Sequence, residues 1–265
     1  MTTPSFLISL DFDGTLSIDG GTPSVDPSIH RELRAWLGLG AQWVINTGRS
    51  LPHAMEGLVE GGFDIRPDYL ITRERDIHCR NQVGRWVPYG DWNARAVEAQ
   101  RKLFKKARRV FKTVERFLDA ETMAEFISLP DDPAGIVASN TAEMARISAF
   151  IDPLLADVPG LRYERNSIYL RFSHCGYSKG TALRHLAESL GLAPSAVFAA
   201  GDNYNDETML NPAIALHLAC PANALPEVHD HVRARGGYCS PLPGAAGVAD
   251  ALRRVRERHS RLASG

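Results

Sequence analysis

Residues 6–15 read FLISLDFDGT, an apolar strand-like run that stops abruptly at two carboxylates, a glycine and a threonine. Alternation along an extended chain points Asp11 and Asp13 to the same side, where their negative charges repel. A buried strand that ends this way needs a cationic partner, which is expected elsewhere in the chain.

Working outward from this strand, apolar β-type runs alternate with helical patterns. FLISL is followed by VDPSIHRELRAWLGLG, AQWVINTG, SLPHAMEGLVEGG and DYLIT, a βαβαβ order that predicts a parallel sheet with helices on its faces. Asp26 and Pro27 suit a helix start, and Gly38 and Gly40 suit its end. The pattern resumes after residue 173 with helix SKGTALRHLAESLG, strand AVFAAGD, helix NDETMLN, strand AIALHL and a last helix AGVADALRRVRERH. Between them, residues 74–172 mix strand-like AEFISLP and SIYLRFS with long helical patterns. The expected architecture is therefore a doubly wound α/β core, residues 1–73 and 173–265, carrying an α+β insertion of domain size.

Composition narrows the function classes. The chain has 265 residues, 44% of them hydrophobic, and can bury a full core. Lysine plus arginine number 30 against 31 aspartate plus glutamate, a formal net charge of -1, so no whole-chain field argues for nucleic acid or an anionic membrane. The basic stretch RKLFKKARRVFKTV places Leu103, Phe104, Ala107, Val110, Phe111 and Val114 on one helical stripe, with its cations on a solvated face. The four cysteines, Cys79, Cys175, Cys220 and Cys239, form no CxxC pair and read as reduced packing residues. With no basic leader and no apolar run of membrane-spanning length, a cytoplasmic protein is expected.

Polar residues of the kind the opening pair needs stand at three later element ends. VINTGR supplies Thr47, SKG opens a helix with Lys179, and AAGDNYNDETML supplies Asp202, Asn203, Asn205 and Asp206. Ligands of open α/β sheets bind beyond the carboxyl ends of the strands, so Asp11, Asp13, Thr47 and Asp202 can converge there. Carboxylates with oxygen-only neighbours suit a hard cation such as Mg2+. Thr47, Lys179 and the backbone N–H groups around Gly14 and Thr15 are donors for a tetrahedral oxyanion.

Together these groups point to phosphoryl transfer. A carboxylate attacking a phosphate dianion at about 4 Å meets roughly 8 kcal/mol of repulsion at an effective dielectric of about 20, taking about 4 per unit pair. A magnesium ion and Lys179 bring enough positive charge to similar range to cancel it. Aspartate needs no activating base, because its unperturbed pKa of about 3.9 leaves it ionised at neutral pH.

With DFDGT, INTGR, Lys179-Gly180 and GDNYNDETML in that order, the sequence resembles the haloacid-dehalogenase superfamily of phosphatases. The resemblance implies Asp11 as a nucleophile that becomes an aspartyl-phosphate and Asp13 as general acid and then base. It implies phosphate ligands at Gly14, Thr47, Lys179 and Asn205. It also implies a magnesium site from Asp11, the Asp13 backbone carbonyl and Asp202, with Asp206 supporting the metal shell. An insertion between the second and third motifs resembles the subgroup with a large α/β cap, Cof-type and sucrose-phosphatase-like, many of which hydrolyse sugar phosphates. Where Cof-type members read like SNGA, this chain reads ITRERDIH. The expected partner is a small phosphorylated metabolite, without nucleic acid or membrane. An intramolecular phosphosugar mutase and a non-catalytic phosphate-ester binding module are the alternatives; Asp13 counts against the latter, since a binder needs no proton donor.

Overall fold

The computed structural model of the protein describes residues 4–18, 20, 24–129 and 132–263. They form two compact units, residues 1–93 with 179–265 and residues 94–178.

The first unit is built on an eight-stranded sheet. Its elements are β1 (Phe6–Leu10), α1 (Ser28–Gly38), β2 (Ala41–Asn46), α2 (Leu51–Glu60), β3 (Tyr69–Thr72), β4 (Asp76–Arg80) and β5 (Trp86–Pro88). The second unit holds most of α3 (Trp92–Glu121), then β6 (Glu125–Leu129), β7 (Asp132–Val137), α4 (Thr141–Ile151), β8 (Leu161–Asn166) and β9 (Tyr169–His174). The chain returns to the first unit with α5 (Lys179–Ser189), β10 (Val197–Ala200), β11 (His217–Cys220), α6 (Pro226–Ala234), β12 (Tyr238–Cys239) and α7 (Gly244–Ala263).

The large sheet runs β12-β11-β10-β1-β2-β3-β4-β5, parallel from β12 through β3 and antiparallel at β4 and β5. β1 is flanked by β2 on one side and β10 on the other. The strand order reverses there, and that is where a doubly wound sheet opens its ligand crevice. All five residues of β1 are buried, as expected for a strand covered on both faces. On one face Phe6, Ile8 and Leu10 pack with Ile29, Leu33 and Trp36 of α1 and Val248 and Leu252 of α7.

Residues 74–93, expected in the insertion, fold with the core instead. β4 and β5 pair onto β3, and the Asn93 side chain brackets the Ile77 backbone, accepting from its N–H at 2.8 Å and donating to its carbonyl at 3.0 Å. The second unit is an antiparallel sheet, β6-β7-β9-β8, whose core joins Leu103, Ala107, Val110 and Val114 of α3 to Met144 and Ile147 of α4 and Phe172 of β9. The apolar stripe read from the basic helix is thus its buried side.

Two local expectations are corrected. In place of a helix over NDETMLN there is a 3-10 turn, Tyr204–Asp206. Asn203 and Asp206 close it reciprocally, and Pro212 disfavours helix just before it. The strand expected from residue 213 begins only at His217, because the Asn211 carbonyl accepts both Ile214 N–H and Ala215 N–H in a turn.

Candidate active site

Three elements deliver the carboxylates. Asp11 extends β1 by one ladder bond, its N–H donating to Ala200 O at 3.0 Å. Asp202 follows β10 by two residues, and Asp206 closes the turn after it. Carboxylate oxygens of Asp11, Asp202 and Asp206, all three buried, lie within 4.8 Å of one another.

The expected cation is Lys179, the first residue of α5 and wholly buried. Its Nζ lies 2.6 Å from Asp11 Oδ1 and 2.6 Å from Asp206 Oδ1. Burial works to lower the pKa of this ammonium, but Asp11, Asp206 and Glu74 outweigh it and hold it above the usual lysine range. Asn46, at the end of β2, fixes the start of the helix by donating from Nδ2 to Lys179 O at 3.1 Å. Thr15 ties the remaining acids together, with its hydroxyl 2.6 Å from Asp202 Oδ1 and 3.2 Å from Asp11 Oδ2.

Three carboxylates face one ammonium, an excess of negative charge. Burial and then Asp206 raise the Asp11 carboxyl well above the ordinary carboxylate range against the pull of Lys179. The same two causes push Asp202 up to about 7. A buried cluster in this condition favours cation binding or protonation.

The other expected site residues fall into different positions. Both oxygens of Asp206 already accept, Oδ1 from Lys179 and Oδ2 from the N–H groups of Asp202 at 2.9 Å and Asn203 at 3.0 Å. Asp13 stands apart from the cluster in an ion pair. Arg49 forks onto it, Nε at 2.9 Å from Oδ2 and Nη2 at 2.6 Å from Oδ1, while its guanidinium lies 4.7 Å from the Phe12 ring centroid. Thr47 is buried; its hydroxyl oxygen accepts Arg49 N–H at 3.1 Å and still carries a hydrogen to donate.

The Gly14 N–H, expected to face an anion, donates to Ser17 O at 2.8 Å. Gly14 contributes space instead. It sits at φ +81°, and a Cβ there would lie 2.3 Å from Asp202 Oδ2. Gly14→Ala is therefore expected to lose about 1–3 kcal/mol more stability than Gly84→Ala. Position 84 has a similar φ of +77° but open space around it, so thermal unfolding of the two variants separates backbone strain from collision. Equal losses would show that the Asp202 carboxylate yields freely.

The sequence reading missed Glu74. It is buried, accepts from Asn205 Nδ2 at 3.0 Å, and donates its N–H to Thr47 O at 3.0 Å. The amide of Asn205, expected on the phosphate, is thus engaged by Glu74, while Asn205 Oδ1 and Glu74 Oε2 are buried without a hydrogen-bond partner. Asn223, also missed, donates to Gly14 O at 2.7 Å and accepts from Gly244 N–H at 2.7 Å.

A carboxylate cluster at the switch point of a doubly wound core, with an α+β unit inserted between its motifs, is the arrangement the sequence resemblance implies. The family model of haloacid dehalogenase-like hydrolases matches residues 68–234, and the chain belongs to that family. Phosphoglycolate phosphatase of Natronomonas pharaonis is 26% identical over 255 residues, covering 94% of this chain and 97% of that protein. Among solved structures, the sucrose-phosphatase of Synechocystis sp. PCC6803, in complex with sucrose and phosphate, superposes with a TM-score of 0.71 at 17% identity over 96% of this chain and 98% of that one. A phosphatase of the haloalkanoate superfamily from Bacteroides thetaiotaomicron does so with a TM-score of 0.66 at 18% identity, over 96% of each chain. At these identities the two structures establish the fold.

Proposed function

We propose that the protein is a magnesium-dependent phosphatase that hydrolyses a small phosphate monoester, of the sugar-phosphate class, through an aspartyl-phosphate on Asp11. The observation that carries the reading is the buried Lys179 ammonium within 2.6 Å of both Asp11 and Asp206, beside Asp202, at the end of the central strand. An all-oxygen donor set with excess negative charge fits a hard divalent cation. Asp11, Asp202 and the Asp13 carbonyl would hold Mg2+, which when bound supplies positive charge to the transferring phosphoryl group. Asp206, with both oxygens engaged, holds Lys179 and the loop rather than the ion.

In this reading a carboxylate oxygen of Asp11 attacks phosphorus and the ester P–O bond breaks. Lys179 and the Thr47 hydroxyl bind the phosphoryl oxygens. Asp13 gives its proton to the departing alkoxide and then takes one from the water that attacks the acyl phosphate, freeing phosphate and restoring Asp11. Because Arg49 holds Asp13 as a carboxylate in an ion pair outside the acidic cluster, proton delivery requires Asp13 to leave Arg49 and take up a proton from solvent before it turns to the substrate.

A screen of phosphorylated metabolites for free phosphate, with magnesium, with chelator and with magnesium restored, tests the reading. Activity that ignores chelation contradicts it, and an isomerised phosphate ester without free phosphate points to a mutase. For Asp13→Asn, loss of the proton donor is expected to slow aspartyl-phosphate formation about 10²- to 10⁴-fold with a sugar phosphate. It should slow that step far less with p-nitrophenyl phosphate, whose leaving group needs no proton. Rapid mixing should then show a stoichiometric burst of nitrophenol followed by slow turnover. Equal losses with both esters and no burst would remove Asp13 from the proton-donor role.

A further inference from the structure

Three side chains beyond the carboxylate cluster converge without any role in the chemistry above. β11 and β12 are parallel neighbours in which Cys220 and Cys239 are register partners, so the two thiols leave the same side of adjacent strands. The first turns of α6 bring His229 against them. Its Nδ1 lies 3.4 Å from Cys220 Sγ, and one ligand atom from each of the three residues lies within 4.8 Å of the others.

The imidazole is oriented from behind. Its Nε2 lies 3.3 Å from Ala222 O, and since a carbonyl can only accept, the proton sits on Nε2 and leaves the Nδ1 lone pair facing sulfur. This is the outer hydrogen bond that metal-ligating histidines use to fix their tautomer and ring plane. The spacing fits as well. Zinc bonds of about 2.3 Å to sulfur and about 2.05 Å to nitrogen, set at the tetrahedral angle, put S and N about 3.5 Å apart.

We propose that Cys220, His229 and Cys239 form a site for a thiophilic divalent cation, Zn2+ above all, separate from the oxygen-lined cluster. Three protein ligands leave the fourth position to water, and binding releases the two thiol protons to solvent. A disulfide between the cysteines would make no use of an imidazole nitrogen facing Cys220 Sγ, while the Cys239 thiol donates to the His229 carbonyl at 3.6 Å. The site encloses a loop that holds the backbone beside the carboxylates: between Cys220 and His229, Asn223 donates to Gly14 O and Leu225 N–H donates to the Asp202 backbone carbonyl at 2.9 Å. The bound ion pins β11, β12 and α6 around that loop.

The test uses the reduced full-length chain with Co2+ as probe and excess Mg2+ present to occupy oxygen ligands. One equivalent of Co2+ should give an intense near-ultraviolet thiolate-to-cobalt band and the visible bands of a tetrahedral site, both bleached by Zn2+. Cys239→Ser and, as a second variant should that one fold poorly, His229→Ala should lose the tetrahedral spectrum. Cys79→Ser, Cys175→Ser and Asp202→Asn should keep it. A weak octahedral spectrum, or a thiolate band that survives Cys239→Ser, overturns the proposal. So does a Cys220–Cys239 disulfide in freshly purified protein that binds no Co2+ after reduction.

Discussion

Asp11→Asn is expected to abolish phosphate release, by about 10³-fold or more, in a chain that still folds. The amide is nearly isosteric with the carboxylate but cannot supply an anionic nucleophile. Folding should survive because Lys179 keeps Asp206 at 2.6 Å, and because burial and Asp206 already disfavour charge on Asp11. Phosphate release by the purified variant, set against its circular dichroism and thermal unfolding, decides the matter. Turnover within tenfold of wild type would exclude Asp11 as the nucleophile.

Lys179→Met is expected to damage stability and activity together. The ammonium is the cationic partner of two buried carboxylates, and removing one member of a buried ion pair typically costs about 3–5 kcal/mol, because the charge left behind has lost its compensation. Here Asp11 and Asp206 would both be left. Denaturant unfolding should show a loss of that size at neutral pH, smaller at acid pH where the carboxylates can protonate. Magnesium should recover part of it in the variant. A Lys179→Met chain as stable as wild type, with or without magnesium, would mean that the carboxylates are already protonated and that the charge balance assigned to this site is wrong.

Asp11 and Lys179 lie in the part of the molecule that the sequence displays most openly. The FLISL run reads as a buried strand because both faces of β1 are covered, and successive strand ends carry their polar residues as local signals. That Lys179 meets Asp11 and Asp206 could be anticipated because Asp11 directly follows β1, Asp206 closes the turn after β10, and Lys179 opens helix α5. What stayed hidden depends on approach from elsewhere. Glu74 sits in ITRERDIH, which carries no motif, yet Arg73 and Glu74 take φ values of +50° and +64° there, a backbone shape that glycine adopts without strain. The turn therefore survives without its glycine and carries a carboxylate to Asn205.

The Tyr204–Asp206 turn resembles a helix in composition, but Asp206 spends its side chain on the backbone of Asp202 and Asn203 instead of continuing one. Strands β4 and β5 carry no signal of the core in the sequence, because an antiparallel hairpin added to the end of a parallel sheet does not continue the βαβ rhythm. That Cys220 and Cys239 are neighbours stayed hidden because strand register brings them together, which spacing along the chain does not reveal.

The mechanism requires a covalent bond between phosphorus and Asp11. Rapid quenching of Asp13→Asn during turnover of p-nitrophenyl phosphate, followed by borohydride, reduces an aspartyl-phosphate to homoserine while leaving free carboxylates untouched. Peptide mass spectrometry should find homoserine at position 11, in yield matching the nitrophenol burst, and none in samples lacking substrate. A burst of nitrophenol with Asp11 intact would place the phosphoryl group elsewhere and contradict the mechanism.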